Sequence, residues 1–237
     1  MDALSDRVGS SLARTAALSF TLAFTGAVAP GPLLALVIGQ SLAQGISATV
    51  FILLGHALLE VAFVVLLARG LNRWLASVAV RNGLATLGGA VLVWMGATLL
   101  GQVTELSLGA AAGARAMPWH ALLLAGAGVS LTNPYFTGWW ATVGSGQMAA
   151  LRLRTFADHA VFLSAHECGD MVWYLLVSLA LVAGRGWLTD GLYRGLLTAC
   201  ALVIVGLGMV FMLSAGRTIA RMLCSEKAAP TPGPVSS

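Results

Sequence analysis

The sequence predicts an all-α polytopic membrane protein. It would have six transmembrane helices as an inverted 3+3 repeat, with a broken first helix in each half. Three observations carry this. Of 237 residues, 58% are hydrophobic and only 9% charged, against roughly 25% charged in soluble domains. The apolar residues fall in long runs, and a span needs about 20 of them. The two halves also repeat one order of features: a helix broken at proline, a helix carrying His-x-x-x-acid, and a plain helix. The short alternating segments of a transmembrane barrel are absent. Glycine, at 28 residues, suits close backbone packing in lipid.

Residues 1–15 form a polar N-terminal cytoplasmic segment, and 16–101 the first three-helix repeat. From Thr15 to Leu59 there is no Asp, Glu, Lys or Arg. Span one covers about residues 16–38. Inside it, Ala29-Pro30-Gly31-Pro32 removes two backbone donors and opens the helix. An apolar run ending at Ala27-Val28-Ala29 imitates a signal peptide, but Pro30 hinders cleavage and the run continues to Ile38. A polar turn over residues 40–47 leads to span two, about 48–69. Span three is 83–101. Residues 102–118 form a loop.

The second repeat is 119–215. Span four, 119–143, breaks at Asn133-Pro134. Span five is about 156–183 and span six about 195–215. Residues 216–237 are expected to be a cytoplasmic, disordered tail, with three prolines after Ser225. In this topology Arg7, Arg14, Arg69, Arg73, Arg81, Arg152, Arg154, Arg217, Arg221 and Lys227 share one side. Only Arg115, Arg185 and Arg194 lie on the other. The positive-inside rule then places both termini in the cytoplasm. Net charge of +4 reflects this asymmetry and implies no nucleic-acid partner. Cys168, Cys200 and Cys224 form no Cys-x-x-Cys and read as packing residues.

A three-span unit crosses an odd number of times, so its second copy enters inverted. Matched interrupted spans mark the binding site in such transporters. His56 and Glu60 share one helix face, as do His166 and Asp170. An acid at the bilayer centre costs on the order of 3 kcal/mol and marks an ion or substrate pathway. A His/acid pair suits the binding and release of a proton. The alternatives are a structural polar pair or a divalent-metal site formed by His56, Glu60, His166 and Asp170. His159 extends the His166 face, while Glu167 points roughly 100° away from His166. At the breaks, the carbonyls of Gly26, Val28 and Ser130 lose helical donors. The half-helix from Pro32 presents N–H groups that suit a carboxylate. Trp139 and Trp140 form an interfacial belt or line the pathway; Tyr135, beside the break, reads as pathway.

Pro30-Gly31-Pro32, Gly55-His56 with Glu60, and Asn133-Pro134-Tyr135-Phe136 with Trp139-Trp140 resemble the lysine exporter superfamily, the LysE/RhtB exporters, in its LysE-type translocator branch. The resemblance covers most of residues 16–215. It implies export of amino acids or similar small zwitterionic metabolites across a bacterial-type plasma (inner) membrane, driven by protons. It carries pathway roles to Pro30, Pro32, Glu60, Asn133, Pro134 and Asp170. Many members have an acid directly after the span-two glycine, and many follow Asn-Pro with Lys; here those places hold His56 and Tyr135. Metal-ion exporters in the wider superfamily keep a divalent metal as the alternative cargo.

The expected site is therefore Pro30, Gly31, Pro32, His56, Glu60, Asn133, Pro134, Tyr135, His166 and Asp170. No cofactor is called for. Enzyme motifs such as His-Glu-x-x-His and Gly-x-Ser-x-Gly are absent. Expected partners are a small-molecule substrate, protons and the lipid bilayer. Oligomeric state stays open: six spans form one pathway, or a homodimer shares one.

Overall fold

The structure is a computed structural model that describes residues 2–75, 77–112 and 116–228. Arg115 and the 229–237 part of the expected tail lie outside the described residues. Among the described residues the chain is helical throughout, without strands. Helix α1 runs Asp2–Ala27, α2 Pro32–Gln44 and α3 Ile46–Leu66, followed by a π-turn at Leu67–Leu71 and a short α4 at Asn72–Leu75. The first half ends with α5, Val78–Gln102, and a helical turn, α6, at Leu108–Ala112. The second half holds α7 (Trp119–Leu131), α8 (Pro134–Trp139), a π-turn at Trp140–Gly144, and α9 (Ser145–Ala150). Helices α10 (Phe156–Ala183) and α11 (Asp190–Ala228) complete it.

Glycine and proline punctuate this order. Gly45 takes φ +79 and alone makes the turn between α2 and α3, a left-handed conformation that favours glycine. The polar patch expected to be a turn, residues 40–44, is instead the end of α2. Its polar side chains find partners within the fold (the Gln44 amide meets the Met117 backbone N and O, each at 3.0 Å, and Ser41 Oγ lies 2.8 Å from Thr49 Oγ1), so it need not uncoil. Gly70, at φ +105, ends the π-turn after α3.

One expectation needs correction. Residues 216–228 are not a disordered tail; α11 continues through them. They contain no proline and several good helix formers, and Pro230 is the first residue after them that cannot continue a helix. Span one, expected at 16–38 with a break, extends over Leu12–Gln44 and is sharply bent. Residues Leu12–Ala27 and Pro32–Gln44 are bent by 84° across the break. Four helical stretches are long and apolar enough to cross a membrane unaided: Ile46–Leu71, Val78–Gln102, Phe156–Gly186 and Asp190–Met222. Counted as one span, the bent pair makes a fifth. Helix α7, with 13 residues, is about 20 Å long at 1.5 Å per residue. It falls short of the roughly 30 Å hydrocarbon layer without the segment beyond its break.

Helices pair where glycine lets backbones meet. In the α3–α7 pair, a Cβ on Gly55 would strike the Leu123 carbonyl, and one on Gly126 the Ile52 carbonyl. In the α5–α11 pair, a Cβ on Gly89 would lie 2.8 Å from Gly208 O, and one on Gly208 2.6 Å from Gly89 O. In the α1–α10 pair, a Cβ on Gly169 would lie 2.8 Å from Phe20 O. Without a hydrophobic driving force in lipid, such close packing supplies the association energy. Ser19 adds a cross-helix bond, its Oγ donating to Phe162 O at 2.7 Å.

A buried hydroxyl trio joins α2, α3 and α10. Ser41 Oγ and Thr49 Oγ1 lie 2.8 Å apart, and Thr49 Oγ1 donates to Ser178 Oγ at 3.0 Å. Apolar Leu33, Val37, Ile52 and Leu53 pack between this trio and the middle of the bundle. Thr49→Val keeps the shape and leaves Ser41 and Ser178 without their shared partner. We expect a loss of about 1 kcal/mol, read as a lower midpoint in detergent denaturation; an unchanged midpoint would assign the trio no stabilising role.

Candidate functional site

The two breaks meet. At the first, Gly31 is extended (φ −130, ψ −175) and Pro32 occupies the first turn of α2. At the second, Asn133 caps α8 by accepting from Tyr135 N at 3.0 Å, and Pro134 occupies its first turn. The pattern is the same: a cap residue followed by a proline whose missing N–H costs nothing there. A Cβ built on Gly31 would lie 3.8 Å from the Asn133 amide nitrogen. The loosened carbonyls are not all free, as the sequence had suggested. Gly26 O accepts from Ala29 N at 3.3 Å and Ser130 O from Asn133 N at 3.2 Å, because the chain tightens into a turn before each proline.

Beside the breaks, α3 and α10 cross and bring their His/acid pairs together. His56 Nε2 is 3.3 Å from Glu60 Oε1 on its own helix and 3.4 Å from Asp170 Oδ2 across the interface. His166 Nε2 is 3.9 Å from each of the same two carboxylates. Imidazoles and acids thus alternate around a square, one pair from each half of the chain. All four are buried: His56 7%, Glu60 2%, His166 3% and Asp170 4% exposed. Among the described residues, Glu60 Oε2, Asp170 Oδ1 and His166 Nδ1 have no hydrogen-bond partner. Buried polar atoms left unpaired are costly.

A cavity of about 60 Å³ opens onto the square, with room for a few water molecules. Gly31, His56, Glu60, Asn133, Tyr135, His166 and Asp170 line it. Pro30, Pro32 and Pro134 do not; they shape the breaks from behind. Pro134 packs against α5, where a Cβ on Gly88 would lie 2.8 Å from its ring. His159 is outside the site, its Nδ1 2.8 Å from Thr155 O.

Aromatic side chains roof the square. Trp140 is 1% exposed, and its indole N–H donates to Glu60 Oε1 at 3.0 Å. The Trp139 and Trp140 rings stand 5.0 and 5.1 Å from the His166 ring, and Phe136 meets His56 edge-on at 5.6 Å. A π-turn begins at Trp140, and Gly144 leaves room for the Trp140 ring. Tyr135 donates its hydroxyl to Thr25 O at 3.0 Å, and Trp139 Nε1 donates to Thr25 Oγ1 at 3.2 Å, tying α8 to α1. Among the described residues, no Lys or Arg lines the cavity.

The chemistry follows from this donor set. Two carboxylates under aromatic faces attract an ammonium group or another cation, and the first turn of α2 offers dipole and amide N–H groups to an anion. A family model of the LysE type translocators matches residues 24–215. The chain belongs to the LysE-type translocator family. No curated protein and no solved structure matches it. Membership makes the chain a multi-pass membrane transporter rather than an enzyme.

Some parts of this LysE-type translocator's site lay beyond sequence reasoning. Ser130 contributes its hydroxyl, not the carbonyl the break had suggested: His56 Nδ1 and Ser130 Oγ are 2.8 Å apart. Tyr174, one turn past Asp170, closes the cavity on the α10 side; its i, i+4 spacing from Asp170 is the signal that could have found it. Glu167 Oε1 is buried and, among the described residues, without a donor.

Proposed function

We propose that this translocator exports amino acids or similar small zwitterionic metabolites across the inner membrane by proton antiport. The observation that carries the reading is the buried His/acid square at the point where two proline breaks meet. The square supplies sites for exchangeable protons in contact with the place where an ammonium group would bind, so proton and substrate compete for the same carboxylates. Six crossings in an inverted repeat, with both termini cytoplasmic, fit the packing. The α1–α10 pair answers the α3–α7 pair when the halves are exchanged, and the α8–α5 contact answers the α2–α11 contact. Pathway roles go to Gly31, His56, Glu60, Asn133, Tyr135, His166 and Asp170, with Pro30, Pro32 and Pro134 forming the breaks. The test is a comparison of intracellular and extracellular metabolites, with and without the protein, across amino acids and divalent metals. Depletion of one zwitterion class from cells that carry the protein is the expected result, and unchanged pools of every class would contradict it.

One observation favours a second cargo. Ligand atoms of His56, Glu60 and Asp170 lie within 4.8 Å of one another, which suits a divalent cation as transported substrate. Metal titration of the purified protein decides this. Binding that disappears in the His56→Ala, His166→Ala double variant supports metal export, and binding no stronger than in that variant removes it.

A further inference from the structure

We propose that Ser130 is the positioning residue of the site: it holds His56 with its hydrogen on Nδ1, so that the Nε2 lone pair faces Glu60 and Asp170 as the acceptor of the incoming proton. A serine hydroxyl has one hydrogen to give. That of Ser130 donates to Gly126 O, one turn back, at 2.8 Å. Its lone pairs then face His56 Nδ1, 2.8 Å away, and the imidazole nitrogen must supply the hydrogen. The partner of one ring nitrogen sets the state of the other. Nε2 stands 3.3 and 3.4 Å from the two carboxylates, whose same oxygens His166 Nε2 approaches at 3.9 Å; apolar Phe136 meets the ring edge-on. A proton bound at Nε2 makes an imidazolium whose two N–H groups both find acceptors. When that proton leaves from the same nitrogen, the ring regains its starting form, and no proton passes through Nδ1.

Ser130 also lies in the last turn of α7, and its carbonyl accepts from Asn133 N at 3.2 Å. A shift of the second break therefore moves the hydroxyl that fixes His56. This gives the proton site and the substrate site one shared element, and it rests on the exporter reading above only for what the proton drives.

The test is nitrogen NMR on the full chain, labelled at histidine and held in lipid nanodiscs, with the His56 signals assigned by their loss in His56→Gln. Wild-type neutral His56 is expected as the Nδ1–H tautomer. Ser130→Ala should lose that preference and slow export by about 10- to 100-fold, the usual cost of removing an outer-shell partner. Ser130→Thr keeps a hydroxyl that bonds back to the helix and should restore both. A wild-type Nε2–H tautomer overturns the proposal, whether or not the variants fold. So does an unchanged tautomer in Ser130→Ala. The expected tautomers in a protein that exports no amino acid would uphold Ser130's role and count against the exporter reading alone.

Discussion

Glu60→Gln abolishes export driven by a pH gradient, while exchange of substrate for substrate at equal pH continues. The substitution keeps the size of the side chain and an oxygen that accepts from Trp140, 3.0 Å away. It removes one of the groups of the square that can gain and lose a proton. Glu60 Oε1 is approached by both His56 and His166, as Asp170 Oδ2 is, so the change removes one of the two acids that both imidazoles share. Loss of a positioned proton-transfer group costs about 10²- to 10⁴-fold, and a gradient-driven rate at least about 100-fold lower is expected on that scale. Proteoliposomes loaded with labelled amino acid measure both modes in one preparation. Wild-type gradient-driven rates in the variant would remove Glu60 from coupling; loss of both modes would point to a general binding defect.

The second large effect is structural and has its control two residues away. Gly126→Ala forces α3 and α7 apart, because the new Cβ meets the Ile52 carbonyl. Backbone cannot swing aside as a long side chain does, and overpacking of this kind costs about 1–3 kcal/mol or more. Gly128→Ala lies on the same helix with nothing within 4 Å of the added Cβ. It should be neutral or stabilising by up to about 1 kcal/mol, since alanine is the better helix former. Denaturation midpoints in detergent should therefore move in opposite directions or, at the least, only for Gly126→Ala. Equal midpoints for the two variants would refute the close α3–α7 contact. The separation also carries functional weight, since α3 holds His56 and α7 holds Ser130; Gly126→Ala should lose export together with stability.

The pairs His56/Glu60 and His166/Asp170 were legible in the sequence because an i, i+4 spacing fixes a helix face whatever the helix packs against. The two proline breaks were legible for a similar reason: a missing N–H acts locally. The 84° bend between Leu12–Ala27 and Pro32–Gln44 was not. A proline opens a helix without setting the angle, and here α2 takes its course from packing against α3 and α10. Trp140 stood undecided between membrane belt and pathway, because an indole serves either; its contact with Glu60 depends on the π-turn that begins at that residue. Ser130 was invisible as a hydroxyl because serine is common in membrane helices, and only the approach of α7 to α3 at Gly55 and Gly126 brings it to His56. Residues 216–228 were misjudged because a polar composition says little about a helix already propagating from an apolar span.

A single cavity joining the two halves requires that Gly31 and Asn133 touch. With Cys168, Cys200 and Cys224 replaced by serine, the Gly31→Cys, Asn133→Cys pair should form a cross-link with a short bifunctional thiol reagent, joining peptides on either side of a protease cut placed between the halves. Efficient cross-linking within one chain is the predicted result. Failure to cross-link, while each cysteine alone reacts with a small thiol reagent, would contradict the joining of the two breaks in one site.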